Sequence, residues 1–185
     1  MASFGTALRM ADMTQVLEAT ETERWYALQT KARHEKVVKE RLEKRGVETF
    51  LPTTTEIHRW SDRKKNVEVP LFSCYLFARL AATKMDRLRI LCVEGVFRFV
   101  GHGHEGLPIP DEQIEAVRSL VVSQLAYSPY PFFKVGQRVR ICSGSLQGVE
   151  GVLVSQNGDQ TVVISVDAIQ RSLAVKVEGY KLEAV

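Results

Sequence analysis

The sequence predicts an α+β fold, in which an antiparallel sheet flanked by helices precedes a small five-stranded β-barrel. Segments with helix-like and strand-like patterns alternate up to residue 125. A stretch rich in proline and tyrosine follows at 127–132, and beyond it apolar residues recur with a period of two in short runs. We therefore expect a flexible leader at 1–22, a first domain at 23–126, a linker at 127–132 and a second domain at 133–185.

Composition narrows the class of protein. Apolar residues make up 45% and charged residues 25% of the 185-residue chain, and the net charge is +3; these are ordinary values for a globular protein. The three cysteines have no CxxC spacing, which favours free thiols in a reducing cytosol over a zinc site or a disulfide framework. No apolar run reaches the roughly 20 residues that a membrane span needs. We expect a cytoplasmic monomer without metal, cofactor or membrane partner.

The first domain is arranged around the apolar stretch from Val69 to Leu80. Its aromatic and aliphatic residues predict a buried central strand whose side chains alternate between two faces. A basic loop with one tryptophan precedes it and predicts an exposed hairpin tip. The other expected elements are strands at Arg24–Thr30, Val47–Ile57 and Val96–Val100, and helices at Arg33–Arg45, Lys84–Val93 and Asp111–Leu125.

The second domain reads as strands throughout. The Asn157-Gly158 pair indicates a tight turn, because both residue types tolerate positive φ. β-Branched residues and repeated glycines disfavour a helical alternative. We therefore predict a barrel that exists in the free protein, loosely tethered and available to partners without a trigger. Its recognisable strands are Val135–Cys142, Gly151–Gln156, Thr161–Val166 and Ser172–Val177.

Motifs in both domains resemble one family. The segment from Val135 to Leu153 resembles a KOW motif, with Gly148 and Gly151 at that motif's glycine positions. In the first domain, three segments resemble the NusG N-terminal (NGN) domain in matching order: 25–30, 70–77 and 95–101. The chain thus resembles the NusG/Spt5-like transcription elongation factors from residue 24 to its end. The resemblance implies an NGN domain followed by a KOW barrel of the SH3-like type.

Two departures from the housekeeping NusG pattern indicate a specialised paralogue of the RfaH and UpxY type. The usual Phe-Pro-Gly-Tyr is Phe72-Ser73-Cys74-Tyr75 here, and the usual Arg-Asn-Thr-Pro-Gly-Val is replaced at 91–96. The predicted function is transcription elongation and antitermination. A housekeeping NusG acting in elongation and Rho-dependent termination is the alternative, and an RNA-binding or ribosome-associated KOW protein is a third possibility. No nucleophile with a base, paired carboxylates or metal set is apparent, so we expect no enzymatic activity.

The resemblance implies that the first domain docks on the clamp helices of RNA polymerase and closes the DNA cleft. The docking candidates are aromatic residues of the first and central strands, and the competing interpretation is that their rings are core. These candidates are Tyr26, Phe72, Tyr75 and Phe77.

Two further sets of residues are candidates for contacts with partners. Basic residues and a histidine beside the first helix, and basic residues at the hairpin tip, are candidates for non-template DNA, with a solvated surface as the alternative. Four barrel residues match family positions that meet NusE, a ribosomal protein, or Rho. The DNA candidates are Lys31, Arg33, His34, Lys36, Arg59, Trp60, Arg63, Lys64 and Lys65, and the barrel candidates are Leu146, Val149, Ile169 and Arg171.

Overall fold

The computed structural model describes residues 22–59, 64–81, 83–101, 105–130, 136–156 and 159–185. The expected leader at 1–22, except for its last residue, lies outside them. Three helices and thirteen strands are assigned within the described residues. Chain order is β1 (Arg24–Thr30), α1 (Glu35–Glu43), β2 (Glu48–Phe50), β3 (Thr53–Arg59), β4 (Lys64–Pro70), β5 (Tyr75–Leu80), α2 (Lys84–Leu91), β6 (Val96–Phe99), β7 (Pro108–Ile109), α3 (Asp111–Ser123), β8 (Tyr127–Tyr130), β9 (Gln137–Ile141), β10 (Glu150–Gln156), β11 (Asp159–Val166), a 3₁₀ turn (Asp167–Ile169), β12 (Arg171–Lys176) and β13 (Leu182–Ala184).

The elements from β1 to α3, called the first domain below, form an antiparallel sheet with helices on both faces. Its strand order is β2-β5-β1-β6, and β7 also pairs with β1. Side chains of β1 alternate as a strand requires: Tyr26 and Leu28 join the core beneath α1 and α2, whereas Trp25 and Ala27 join the core beneath α3. The predicted α+β class with helices flanking an antiparallel sheet is confirmed.

The central strand is shorter than the sequence predicted. A continuous strand was expected from Val69 to Leu80, but β4 ends at Pro70 and the central strand β5 begins only at Tyr75. Between them the chain turns, and Cys74 has a positive φ of 66°. Among the strands of the described chain, β3 and β4 pair only with each other, through seven residue pairs. At about 3.4 Å per residue this hairpin is an arm roughly 20 Å long.

The elements from β8 to β13, called the barrel below, form one antiparallel sheet in the order β13-β9-β10-β11-β12-β8. The predicted strands are present, and β13 closes onto β9. The expected linker at 127–132 differs, because its first four residues form β8 and pair with β12, from Tyr127 opposite Val175 to Tyr130 opposite Ser172. Tyrosines at both ends of the segment and a free edge on β12 allow this pairing, since a proline is tolerated in an edge strand.

Helix α3 lies between the first sheet and the barrel. Its Ile114 and Val117 belong to the same hydrophobic cluster as Ile169 of the barrel, and α3 contacts β11 while β7 contacts the 3₁₀ turn. The Gln113 side-chain oxygen accepts a hydrogen bond from the Asp167 N–H at 3.0 Å. Only 124–126 separate α3 from β8. The expected loose tether is therefore absent from this part of the described chain, where the barrel packs against α3.

Within the described residues, no helix is both long and apolar enough to cross a membrane.

Candidate functional site

Three of the four docking candidates gather at one end of the sheet, on the face that α3 covers. Phe77 is completely buried and Phe72 is 6% exposed; their rings meet edge to face with centroids 6.1 Å apart. Phe50 stacks on Phe77 at 6.1 Å, and the Arg118 guanidinium lies 5.1 Å from the Phe50 ring centroid. Tyr75 packs against the larger hydrophobic core that contains Phe72 and Phe77, and it is half-buried. We call Phe50, Phe72, Tyr75 and Phe77 the aromatic cluster.

Tyr26 does not join the aromatic cluster. It is 5% exposed on the opposite face of the sheet, where its ring meets Phe99 edge to face at 6.0 Å, and the Arg87 guanidinium lies 6.0 Å from its centroid. In the register of the sheet Tyr26 is opposite Ala78, one residue beyond Phe77, so strand alternation alone separates the two rings. The competing interpretation, that the rings are core, thus describes Tyr26, Phe72 and Phe77, each at most 6% exposed, and Tyr75 is the one of the four that is partly exposed.

The turn from Leu71 to Cys74 positions Tyr75. The Tyr75 N–H donates to the Phe72 carbonyl at 3.2 Å, and the Thr30 N–H donates to the Cys74 carbonyl at 2.9 Å. These bonds join the turn to the end of β1. The positive φ at Cys74 falls where the housekeeping motif has glycine, the residue that adopts this conformation without steric cost.

Three candidates for nucleic-acid binding lie together in the loop between β1 and α1, namely Lys31, Arg33 and His34. Lys31 and Arg33 are exposed, and His34 is half-buried with Nδ1 2.9 Å from the Ala32 carbonyl. Lys36 is on the helix itself and forms an ion pair with Glu68 of the arm at 3.0 Å.

Arg98 adds a further exposed cation near Lys31 and Arg33, although no sequence pattern marked it. We call these three residues the basic edge. Arg98 is exposed on β6, directly opposite Gln29 in the sheet, and its Nε donates to the Gln29 side-chain oxygen at 2.8 Å. The Lys31 N–H donates to the Gly95 carbonyl at 2.8 Å, which places the start of the loop against the strand that carries Arg98. The sheet register, which the sequence does not reveal, brings these cations to one edge.

The candidates at the hairpin tip are only partly described. The backbones of Arg59, Lys64 and Lys65 lie in β3 and β4, and Arg59 is opposite Lys64 at the outer end of the arm. Trp60 and Arg63 lie outside the described residues.

The barrel candidates differ from expectation. Leu146 is completely buried, and Val149 and Ile169 are each 5% exposed, so all three are core side chains. The loop that holds Leu146 and Val149 folds inward because the Val149 N–H bonds to the Leu146 carbonyl at 3.1 Å. Arg171 alone among the four is exposed. A small domain needs most of its apolar side chains for its own core, so apolar character alone does not identify a surface residue here.

An open cleft of about 720 Å³ lies between α3 and the barrel. Its charges are largely paired: Arg140 donates to Glu150 at 3.0 and 2.6 Å, and Arg138 lies 3.6 Å from the same carboxylate. The hydrogen bonds that Arg140 donates to the Glu150 carboxylate raise the pKa of Arg140. The described residues hold no group of three or more His, Cys, Asp or Glu side chains arranged to bind a metal ion.

The fold defines a class of two-part proteins, in which a mixed α+β domain precedes a small β-rich domain. A family model described as "Transcription termination factor nusG" matches residues 23–118. The chain belongs to the NusG family. It is 27% identical over 176 residues to the transcription termination/antitermination protein NusG of Lactococcus lactis, covering 87% of this chain and 92% of that protein.

Two further likenesses agree with this family. The transcription termination/antitermination protein NusG of Campylobacter jejuni is 32% identical over 132 residues, covering 66% of this chain and 75% of that protein. A solved structure described as "Domain interaction in Thermotoga maritima NusG" superposes with a TM-score of 0.51 at 22% identity, covering 89% of this chain and 98% of that one; it supports the fold. The curated relatives are transcription factors, in agreement with the expectation that the chain is not an enzyme.

Proposed function

We propose that the chain is a specialised elongation and antitermination factor that docks on the clamp helices of RNA polymerase through its first domain. It closes the DNA cleft and suppresses pausing or termination by binding, without chemistry of its own. The observation that carries the proposal is Tyr75, a half-buried ring at the rim of the aromatic cluster. A tyrosine with an apolar body in a cluster and an accessible polar end is typical of an interface anchor.

The arm and the basic edge supply the rest of the proposed mechanism. The β3–β4 arm extends from the sheet and is tied to α1 at its base by the Lys36–Glu68 ion pair. Such an arm can reach across a gap of roughly 20 Å. Lys31, Arg33 and Arg98 are exposed at the sheet edge, where they would attract the phosphates of the non-template strand. Docking on one rim and contact across the cleft together would keep the cleft closed.

The test of docking is titration of the full chain with isolated clamp helices of a bacterial RNA polymerase. Tyr75→Ala should weaken binding by about 1–3 kcal/mol, because truncating an anchor ring removes most of its apolar contact. Phe97→Ala is the matched control: Phe97 is 64% exposed on β6 of the same sheet and lies outside the aromatic cluster. Circular dichroism confirms that both variants fold. Equal affinity of the Tyr75 variant and the parent would refute this docking surface.

A housekeeping role in elongation and Rho-dependent termination is the second candidate, with the barrel recruiting NusE or Rho. The exposed guanidinium of Arg171 favours it, because arginine is enriched at protein interfaces. Transcription across a Rho-dependent terminator separates the two candidates. A specialised antiterminator increases read-through, whereas a housekeeping factor increases termination and loses that effect in Arg171→Ala.

A further inference from the structure

Glu35 is a buried carboxylate to which the docking proposal assigns no role. It is the first residue of α1 and is only 4% exposed. Burying a carboxylate is unfavourable unless hydrogen bonds compensate for lost water. Its Oε1 accepts a hydrogen bond from the backbone N–H of Cys74 at 2.8 Å, across 39 residues of sequence. The side chain therefore reaches from the helix start to the turn that precedes Tyr75.

The turn it reaches needs such support. Cys74 has a φ of 66° although it carries a Cβ, and the left-handed conformation is unfavourable for residues other than glycine, asparagine and aspartate. Two anchors hold it there: Glu35 accepts the Cys74 N–H, and the Thr30 N–H donates to the Cys74 carbonyl. A hydrogen bond to a charged acceptor is stronger than one between neutral groups, so we expect the carboxylate to be the stronger anchor.

We propose that Glu35 is a positioning residue, which sets the conformation of the 71–74 turn and through it the orientation of Tyr75. This inference rests on the proposed docking function. It also explains why the turn works with cysteine where a glycine would be conformationally free. Without the carboxylate, Cys74 relaxes toward negative φ, and the Tyr75 ring leaves the rim of the aromatic cluster.

The same two anchors fasten both ends of the basic segment. Thr30 precedes Lys31, and Glu35 follows His34, so the loop carrying Lys31 and Arg33 begins and ends on residues bonded to Cys74. Glu35 thereby fixes the position of the 71–74 turn relative to the loop that carries Lys31 and Arg33. Its loss is expected to affect both.

The experiment compares three variants of the full chain by titration against isolated clamp helices. Two are single variants, Glu35→Ala and Glu35→Gln. The third is a double variant that combines Glu35→Ala and Cys74→Gly. We expect Glu35→Ala to weaken binding about tenfold and Glu35→Gln by less than about threefold, since an amide oxygen still accepts the bond. The double variant should recover most of the affinity, because glycine adopts positive φ without an anchor. Glu40→Ala, an exposed carboxylate on the same helix, is the control and should bind like the parent.

A second measurement does not depend on polymerase. Amide hydrogen exchange of Cys74 should accelerate at least tenfold in Glu35→Ala, while barrel amides exchange at the parent rate. If Tyr75→Ala binds the clamp helices like the parent while Cys74 exchange still accelerates, docking is wrong at this surface and the positioning role stands. Unchanged Cys74 exchange in Glu35→Ala, or no recovery of affinity in a folded double variant, overturns the inference.

Discussion

The two halves of the molecule differ in how completely they bury their apolar side chains. The first domain leaves Tyr75 half-buried and exposes Met85, Leu88 and Phe97 by more than half of their surface, whereas the barrel buries Leu146 and the other apolar residues expected at its surface. The difference follows from size, because a small domain buries a smaller fraction of its surface and cannot spare apolar side chains. An apolar residue is therefore a weaker sign of an interface in the barrel than in the first domain.

The largest expected effect tests this comparison directly. Leu146→Ala should destabilise the barrel by about 2–5 kcal/mol, because it removes a completely buried leucine and leaves a cavity. Chemical denaturation followed by amide signals of the barrel measures the change. Arg171→Ala, at an exposed site, should stay within about 0.5 kcal/mol of the parent. A Leu146→Ala variant as stable as the parent would contradict the burial of this side chain in the barrel core.

The two KOW glycines allow a finer test within the barrel. A Cβ on Gly151 would lie 2.5 Å from Val162 Cγ1 and 2.7 Å from the Val163 carbonyl oxygen, so Gly151→Ala should cost about 1–3 kcal/mol by overpacking. Gly148 has a φ of +87° and no atom within 4 Å of such a Cβ, so Gly148→Ala meets only backbone strain, about 1–2 kcal/mol. The midpoint temperature of thermal unfolding should be lower for Gly151→Ala than for Gly148→Ala. The reverse order would contradict the close approach of β10 to β11.

Sequence patterns predicted the elements well where one local rule decides them. Strand composition predicted β1 with its observed bounds, and the strong turn and glycine signals placed the barrel strands. Patterns failed where two distant segments decide together. Pairing with β12 makes a strand of Tyr127–Tyr130, and support from Glu35 lets Cys74 take a conformation typical of glycine. Arg98 joined the basic edge through sheet register, which no single segment encodes.

The smallest expected effect concerns the basic edge of the first domain. Replacing Lys31, Arg33 and Lys36 with Gln should flatten the salt dependence of binding to an elongation complex with a non-template bubble. Each cation that meets a single-stranded phosphate contributes about 0.7 to the slope of log K against log salt. Lys36→Gln alone is the control, since Lys36 is paired with Glu68 and should change the slope little. An equal slope for the triple variant and the parent would assign these residues to a solvated surface.

The short connection between α3 and β8 has a consequence for how partners compete with the barrel. The three residues 124–126 span at most about 11 Å when extended, so the barrel experiences α3 at a high effective concentration, in the millimolar range for short tethers. A contact between them whose dissociation constant is below that concentration stays mostly formed. Detachment of β8 from β12 would favour a competitor for either surface most strongly. The connection between α3 and the barrel then lengthens, and the effective concentration of α3 at the barrel falls. The four-residue pairing of β8 with β12 thus limits the length of the connection between α3 and the barrel.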